Sequence, residues 1–238
     1  NDTSVILRIV PEGPYYAMGI RNSFGLAIDP VTGNLWDTEN GDDDFDEVNF
    51  VPPNFNSGWY IIMGPANETE LSILPGYDGY VYSDPEFSWQ QTVAPTAISF
   101  VDSKPLEKFK NNVFVGDCIY GNLYKFELNS DRTGFVFHDA ALSDNVVNTG
   151  ESMDELIFGT GFGCMTDIEV GPDGLLYILS LSEGTIYKIM PTMMIKKVTE
   201  IENTPNAFQI EYAVYAVIAA LIIAGIIIYL TKVKRKSK

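Results

Sequence analysis

Three stretches of this chain repeat one plan: apolar strand, Asp/Pro/Gly turn, apolar strand, polar loop, closing strand. They run over Gly25–Val51, Thr96–Leu128 and Asp167–Met190. Two of them close in near copies, Gly121-Asn122-Leu123-Tyr124-Lys125-Phe126 and Gly184-Thr185-Ile186-Tyr187-Lys188-Ile189. A unit of that kind folds into one small antiparallel sheet with two apolar faces, and it buries them only by stacking on its neighbours. Repetition of such sheets is the sequence mark of a β-propeller. At roughly 40–50 residues per blade, residues 1–190 supply about four blades. An open arc of blades leaves sheet edges unpaired, so further blades are expected N-terminal to Asn1.

The C-terminus carries a different signal. Tyr212–Leu230 holds nineteen residues without a charge, about 28 Å as a helix and close to the hydrocarbon thickness of a bilayer. Lys232, Lys234, Arg235, Lys236 and Lys238 follow at once, which places the tail in the cytoplasm by the positive-inside rule. A processed cell-surface sorting signal has the same outline and stays open as an alternative. The expected organisation is a partial propeller over 1–190, a polar stalk over 191–211, a transmembrane helix over 212–231 and a basic tail over 232–238. Pro191 suits the end of the last strand, because it cannot continue a ladder. The chain begins with Asn1 and without a signal peptide, so it reads as a fragment or a processed form of a single-pass protein of the cell membrane, with its propeller outside. Asn1-Asp2-Thr3 and Asn67-Glu68-Thr69 are glycosylation sequons that suit that location.

Charge narrows the partners. All 32 acidic residues precede Tyr212, while five of the 15 basic ones lie in the tail, so residues 1–211 carry 10 − 32 = −22. Such a surface repels nucleic acid and attracts divalent cations. Cys118 and Cys164 are the only cysteines and fall at comparable points of successive repeats. In an oxidising exterior they are expected to pair; two buried free thiols are the alternative. The single histidine, His138, follows an apolar run, Phe135-Val136-Phe137, and reads as a surface or structural residue.

The stretch from Gly19 to Trp59 is the most specific. It holds an Arg-Asn pair (Arg21, Asn22), a strand and an Asp29-Pro30-Val31-Thr32-Gly33-Asn34 turn. The acidic loop Asn40-Gly41-Asp42-Asp43-Asp44-Phe45-Asp46-Glu47 and Asn56-Ser57-Gly58-Trp59 complete it. This arrangement resembles the glucose/sorbosone dehydrogenase family, quinoproteins on a six-bladed propeller. The resemblance implies oxidation of an aldose C1 hydroxyl with pyrroloquinoline quinone (PQQ) and Ca²⁺, the electrons leaving to a membrane acceptor. It assigns Arg21 and Asn22 to the cofactor, Gly41 and Asp42 to calcium, and Asn40 and Asp46 to the sugar. The family's catalytic histidine comes from an earlier blade, so the base is expected outside this chain.

The departures are specific too. Asp42 stands where the family has proline, Ile119 where it has lysine, and Cys164 and Thr166 where it has two basic residues. Phe24 replaces a glutamine and Ser57 a tyrosine. Each lost charge-assisted hydrogen bond to PQQ is worth roughly 1.5–3 kcal/mol. A non-catalytic surface propeller, serving as a binding or scaffolding module, is therefore the second expectation. A structural partner of a membrane complex is the third.

Overall fold

The computed structural model describes residues 4–9 and 15–194. They form four β-sheets, with a short α-helix at Glu68–Ile73. The first sheet joins Val5–Leu7, Tyr15–Met18, Phe55–Asn56 and Val81–Tyr82. The second runs Ser23–Ile28, Leu35–Glu39, Asp46–Val51 and Phe87–Trp89, and Val146–Val147 adds in parallel to its outer edge. The third is a meander of Pro95–Phe100, Asn112–Asp117 and Leu123–Leu128, extended by Phe135–Val136 and Ile157–Gly159. The fourth comprises Met165–Val170, Leu176–Ser180 and Thr185–Ile189. Each repeat seen in the sequence thus makes the antiparallel core of one sheet. The leading strands Ser23–Ile28, Pro95–Phe100 and Met165–Val170 touch in succession, as inner blade strands do about a propeller axis.

The main core lies between the second and third sheets. Trp36, Val48, Phe87 and Trp89 from one sheet meet Val113, Val115, Tyr124 and Phe126 from the other. Phe87 lies 5.0 Å from Phe126 and Trp89 5.1 Å from Tyr124, ring centre to ring centre. Burial of each such side chain is worth about 1.5–3 kcal/mol. Asn112–Asp117 is buried on both faces, which is why it reads as a continuous apolar run rather than an alternating one.

Two ties lock neighbouring sheets. Asp29, fully buried at the turn after Ser23–Ile28, accepts from Arg132 Nε at 2.6 Å and Nη2 at 2.7 Å. Burial pushes the Asp29 carboxyl up, but the Arg132 hydrogen bonds and two local donors, Val31 N–H and Thr32 Oγ1, bring it below its ordinary value. A disulfide joins Cys118, after Asn112–Asp117, to Cys164, before Met165–Val170.

The helix Glu68–Ile73 buries none of its residues, so no apolar periodicity announces it. Its cause is a capping box: Asn67 Oδ1 accepts from Thr69 N–H and Glu70 N–H, and the Glu70 carboxylate accepts from Asn67 N–H. The chain divides into two units, Asn1–Met190 and Pro191–Lys238. The expected span over 212–231, the basic tail, the stalk beyond residue 194 and the Asn1 sequon lie outside the described residues. Among the described residues no helix is long and apolar enough to cross a membrane.

Candidate functional site

Arg21 is the hub of the site. It lies two residues after Gly19, whose φ of +69° and whose contact with Asn56 and Gly58 leave no room for a side chain. Its backbone N–H donates to Glu39 Oε1. Its guanidinium donates from Nη1 to the Asn40 carbonyl at 2.7 Å and from Nη2 to Asp42 Oδ1 at 2.7 Å. The same group lies 5.4 Å from the centre of the Trp59 ring, a cation–π distance. The Arg-Asn pair, the acidic loop and the Gly-Trp element therefore converge at one end of the second sheet.

The other residues take distinct places. Asn22 is exposed and contributes its carbonyl, which accepts the Asn40 N–H at 3.0 Å. Asn40 is buried, and its amide donates to the Pro95 carbonyl at 3.2 Å. Gly41 sits where the loop folds back on itself: a Cβ there would meet the carbonyl oxygens of Phe45 at 2.1 Å and Asp44 at 2.2 Å. Asp46 braces that fold. Its Oδ1 accepts from Gly41 N–H at 2.8 Å, and its Oδ2 from Val93 N–H at 2.6 Å and Ala94 N–H at 2.7 Å. Burial pushes the Asp46 carboxyl up, and these donors offset part of that rise. Cys118 and Cys164 are half-buried. His138 is a surface residue whose ring, 74% exposed, lies 3.7 Å from Glu127.

Sequence reasoning missed a layer of buried carboxyls behind the cluster of Arg21, Asn40, Asp42 and Trp59, the mouth of the site. The face of the second sheet turned away from the main core carries Asp37 opposite Asn49 and Glu39 opposite Glu47. Glu39 Oε2 accepts from Ser57 Oγ at 2.8 Å, and Glu47 Oε1 from Gly64 N–H at 2.6 Å. Asp37 has no partner on either oxygen: Ser23 and Asn49 are its polar neighbours, but their geometry falls short of hydrogen bonding. Burial raises Asp37 to about 6, Glu47 to about 7 and Glu86, whose carboxylate accepts from Phe50 N–H, to about 8. Glu39 is raised too, by burial first and then by the charges of Glu47 and Asp37. The available signal was Leu35-Trp36-Asp37-Thr38-Glu39 itself, a strand with acids at alternate positions that is buried from Trp36 to Glu39.

Relatives of known identity share this arrangement of sheets. The family model described as Glucose / Sorbosone dehydrogenase matches residues 11–188. The chain belongs to the glucose/sorbosone dehydrogenase family. Among curated relatives, the aldose sugar dehydrogenase YliI of Escherichia coli K12 is 26% identical over 180 residues, covering 74% of this chain and 43% of the relative. Among solved structures, the putative oxidoreductase (glucose dehydrogenase) of Thermus thermophilus aligns with a TM-score of 0.51 at 25% identity, covering 70% of this chain and 41% of that one. The holo form of the pyranose dehydrogenase PQQ domain from Coprinopsis cinerea aligns with a TM-score of 0.50 at 14% identity, covering 77% and 57%. This chain thus spans less than half the length of its curated relative. By family, the chain is sugar dehydrogenase-like.

The residues present do not fit PQQ as they stand. PQQ carries three carboxylates, and neither groove beside the mouth is lined by a Lys or Arg other than Arg21. Arg21 is already paired, and with Asp42, Asp43 and Asp44 the local balance is 1 − 3 = −2. Calcium takes six to eight oxygens, backbone carbonyls among them; Asp42 Oδ1 is committed to Arg21, and no group of three His, Cys, Asp or Glu side chains among the described residues could hold a metal ion.

Proposed function

We propose that this chain is the sugar-recognising portion of a glucose/sorbosone dehydrogenase-type propeller. Its ligand is an uncharged sugar held at the mouth formed by Arg21, Asn40, Asp42 and Trp59. The observation that carries this reading is the pairing of Arg21 with Asp42 beside the half-buried Trp59. An arginine–carboxylate pair offers donors and acceptors side by side, the chemistry that neighbouring sugar hydroxyls match. The part of the indole that Arg21 leaves uncovered offers an apolar surface for the ring's C–H groups. Family membership supports the substrate class. The remaining blades of a six-bladed ring complete the channel, and the apolar C-terminal span tethers the propeller outside the cell membrane.

The second reading is the family's own activity: a membrane-anchored quinoprotein oxidising an aldose with PQQ and calcium and passing electrons to a membrane acceptor. One observation favours it: Arg21, Asn22, Asn40, Gly41 and Asp46, the residues the family resemblance selects, meet at one place. Against it stand the neutralised arginine and the negative loop. Calorimetric titration of the full chain with D-glucose tests the first reading. A saturable change that disappears in Trp59→Ala while the melting temperature holds supports it. A wild-type signal unchanged by Trp59→Ala removes the mouth as the ligand site.

A further inference from the structure

We infer that Asp42 is a specificity-determining residue: it occupies Arg21 in place of a ligand carboxylate and so closes the mouth to polyanions while leaving it open to neutral sugars. The inference rests on the mouth being the ligand site.

Three observations carry it. First, Asp42 Oδ1 takes the hydrogen bond from Arg21 Nη2 at 2.7 Å that an incoming carboxylate would need. Second, the rest of the guanidinium is held in place by the Asn40 carbonyl on one side and the Trp59 ring on the other. The arginine therefore cannot swing away from Asp42 to meet a ligand elsewhere without losing both contacts. Third, Asp43 and Asp44 follow directly and are exposed, so an anion approaching the pair meets two further like charges.

The competition can be scaled. A carboxylate tethered by a short loop acts at an effective concentration on the order of millimolar or above. A free carboxylate at micromolar concentration is then outcompeted by about a thousandfold at this arginine. Repulsion by the neighbouring aspartates adds to that, though ionic strength near 0.15 M screens it beyond about 8 Å. A neutral sugar faces neither term. It can bond to Arg21 and Asp42 together, so the same ion pair that excludes an anion orients a diol.

The side chain of Asp42 is 66% exposed and that of Arg21 23%. The aspartate can therefore be changed with little effect on folding, and the arginine stays seated against Trp59. Asp42→Asn keeps the shape and removes the charge that neutralises Arg21.

Calorimetric titration of the full chain with PQQ at 0.15 M salt tests this, with Asp42→Asn and Asp44→Asn alongside and D-glucose as a second titrant. The expected result is no saturation by PQQ in the wild type and binding about tenfold tighter or more in Asp42→Asn. Asp44→Asn, equal in net charge, should stay within about twofold of the wild type. Micromolar PQQ binding by the wild type that Asp42→Asn leaves unchanged would overturn the inference. So would failure of Asp42→Asn to gain affinity, or an equal gain in Asp44→Asn, which would make the effect bulk charge. Glucose separates the two levels. If PQQ behaves as expected but no variant binds glucose, the exclusion stands and the sugar reading fails. If glucose binds and PQQ binds as well, the reverse holds.

Discussion

The buried carboxyl layer makes stability fall as pH rises, the reverse of the usual acid-denaturation slope. Asp37 rises from 3.8 to about 6 and Glu47 from 4.5 to about 7 on folding, with Glu86 rising from 4.5 to about 8. Because the folded values lie above the unfolded ones, the native state binds more protons than the unfolded chain through the window between them. The stabilisation is complete below about pH 4 and is lost between there and about pH 8, the share of Asp37 by about pH 6, of Glu47 by about 7 and of Glu86 by about 8. A shift of about two units on Asp37 alone corresponds to roughly 3 kcal/mol. The acids share one layer and relax together, so the whole layer is worth about 3–6 kcal/mol between pH 5 and 8 rather than the sum of its members. That is a large part of the 5–15 kcal/mol typical of a folded domain. Asp29 and Asp173, whose carboxyls are lowered on folding, have the opposite slope, but theirs is spent below about pH 4. Urea unfolding at pH 5, 6, 7 and 8, followed by tryptophan fluorescence, measures the trend. The midpoint should drop steadily over that range, and Asp37→Asn, which removes one titrating group and keeps its shape, should flatten the drop. A midpoint that rises with pH, or a slope identical in Asp37→Asn, would refute the reasoning.

Three further outcomes follow from the packing. Arg132→Ala strands the wholly buried Asp29 and should cost about 3–5 kcal/mol in chemical unfolding; Asp29→Asn/Arg132→Met should recover part of it, and a loss under about 1 kcal/mol in the single variant would contradict the tie between sheets. Gly41→Ala forces the acidic loop open against two carbonyl oxygens at 2.1 and 2.2 Å, so it should cost about 2 kcal/mol or more and abolish the glucose response. Reduction, or Cys118→Ser/Cys164→Ser, opens a link of sequence separation 46 and should lower stability by about 2–4 kcal/mol, read as a fall in melting temperature on adding reductant.

The propeller was legible because its cause is periodic. Gly25–Val51, Thr96–Leu128 and Asp167–Met190 each alternate apolar runs with turn residues, and each folds as one sheet. The convergence of Arg21, Asn40, Gly41 and Asp46 was legible through motif, since these residues lie within one hairpin and its loop. The partners were not. Asp46 looks like a free acid in sequence, yet both its oxygens are taken by backbone N–H groups, two of them from residues 93 and 94. Those long-range donors have no local trace. Asp37 and Glu39 read as a polar strand edge until the neighbouring sheet covers them. The Arg132–Asp29 pair joins residues 103 positions apart, and the helix Glu68–Ile73 rests on a cap rather than a face.

The measurement that bears most directly on the account is a crystal structure of the full chain soaked in D-glucose. A sugar ring is expected within hydrogen-bonding reach of Arg21 and Asp42, lying against Trp59, with the Arg21–Asp42 pair intact. A sugar bound elsewhere, or an Arg21 released from Asp42 and turned toward an anionic ligand, would contradict it.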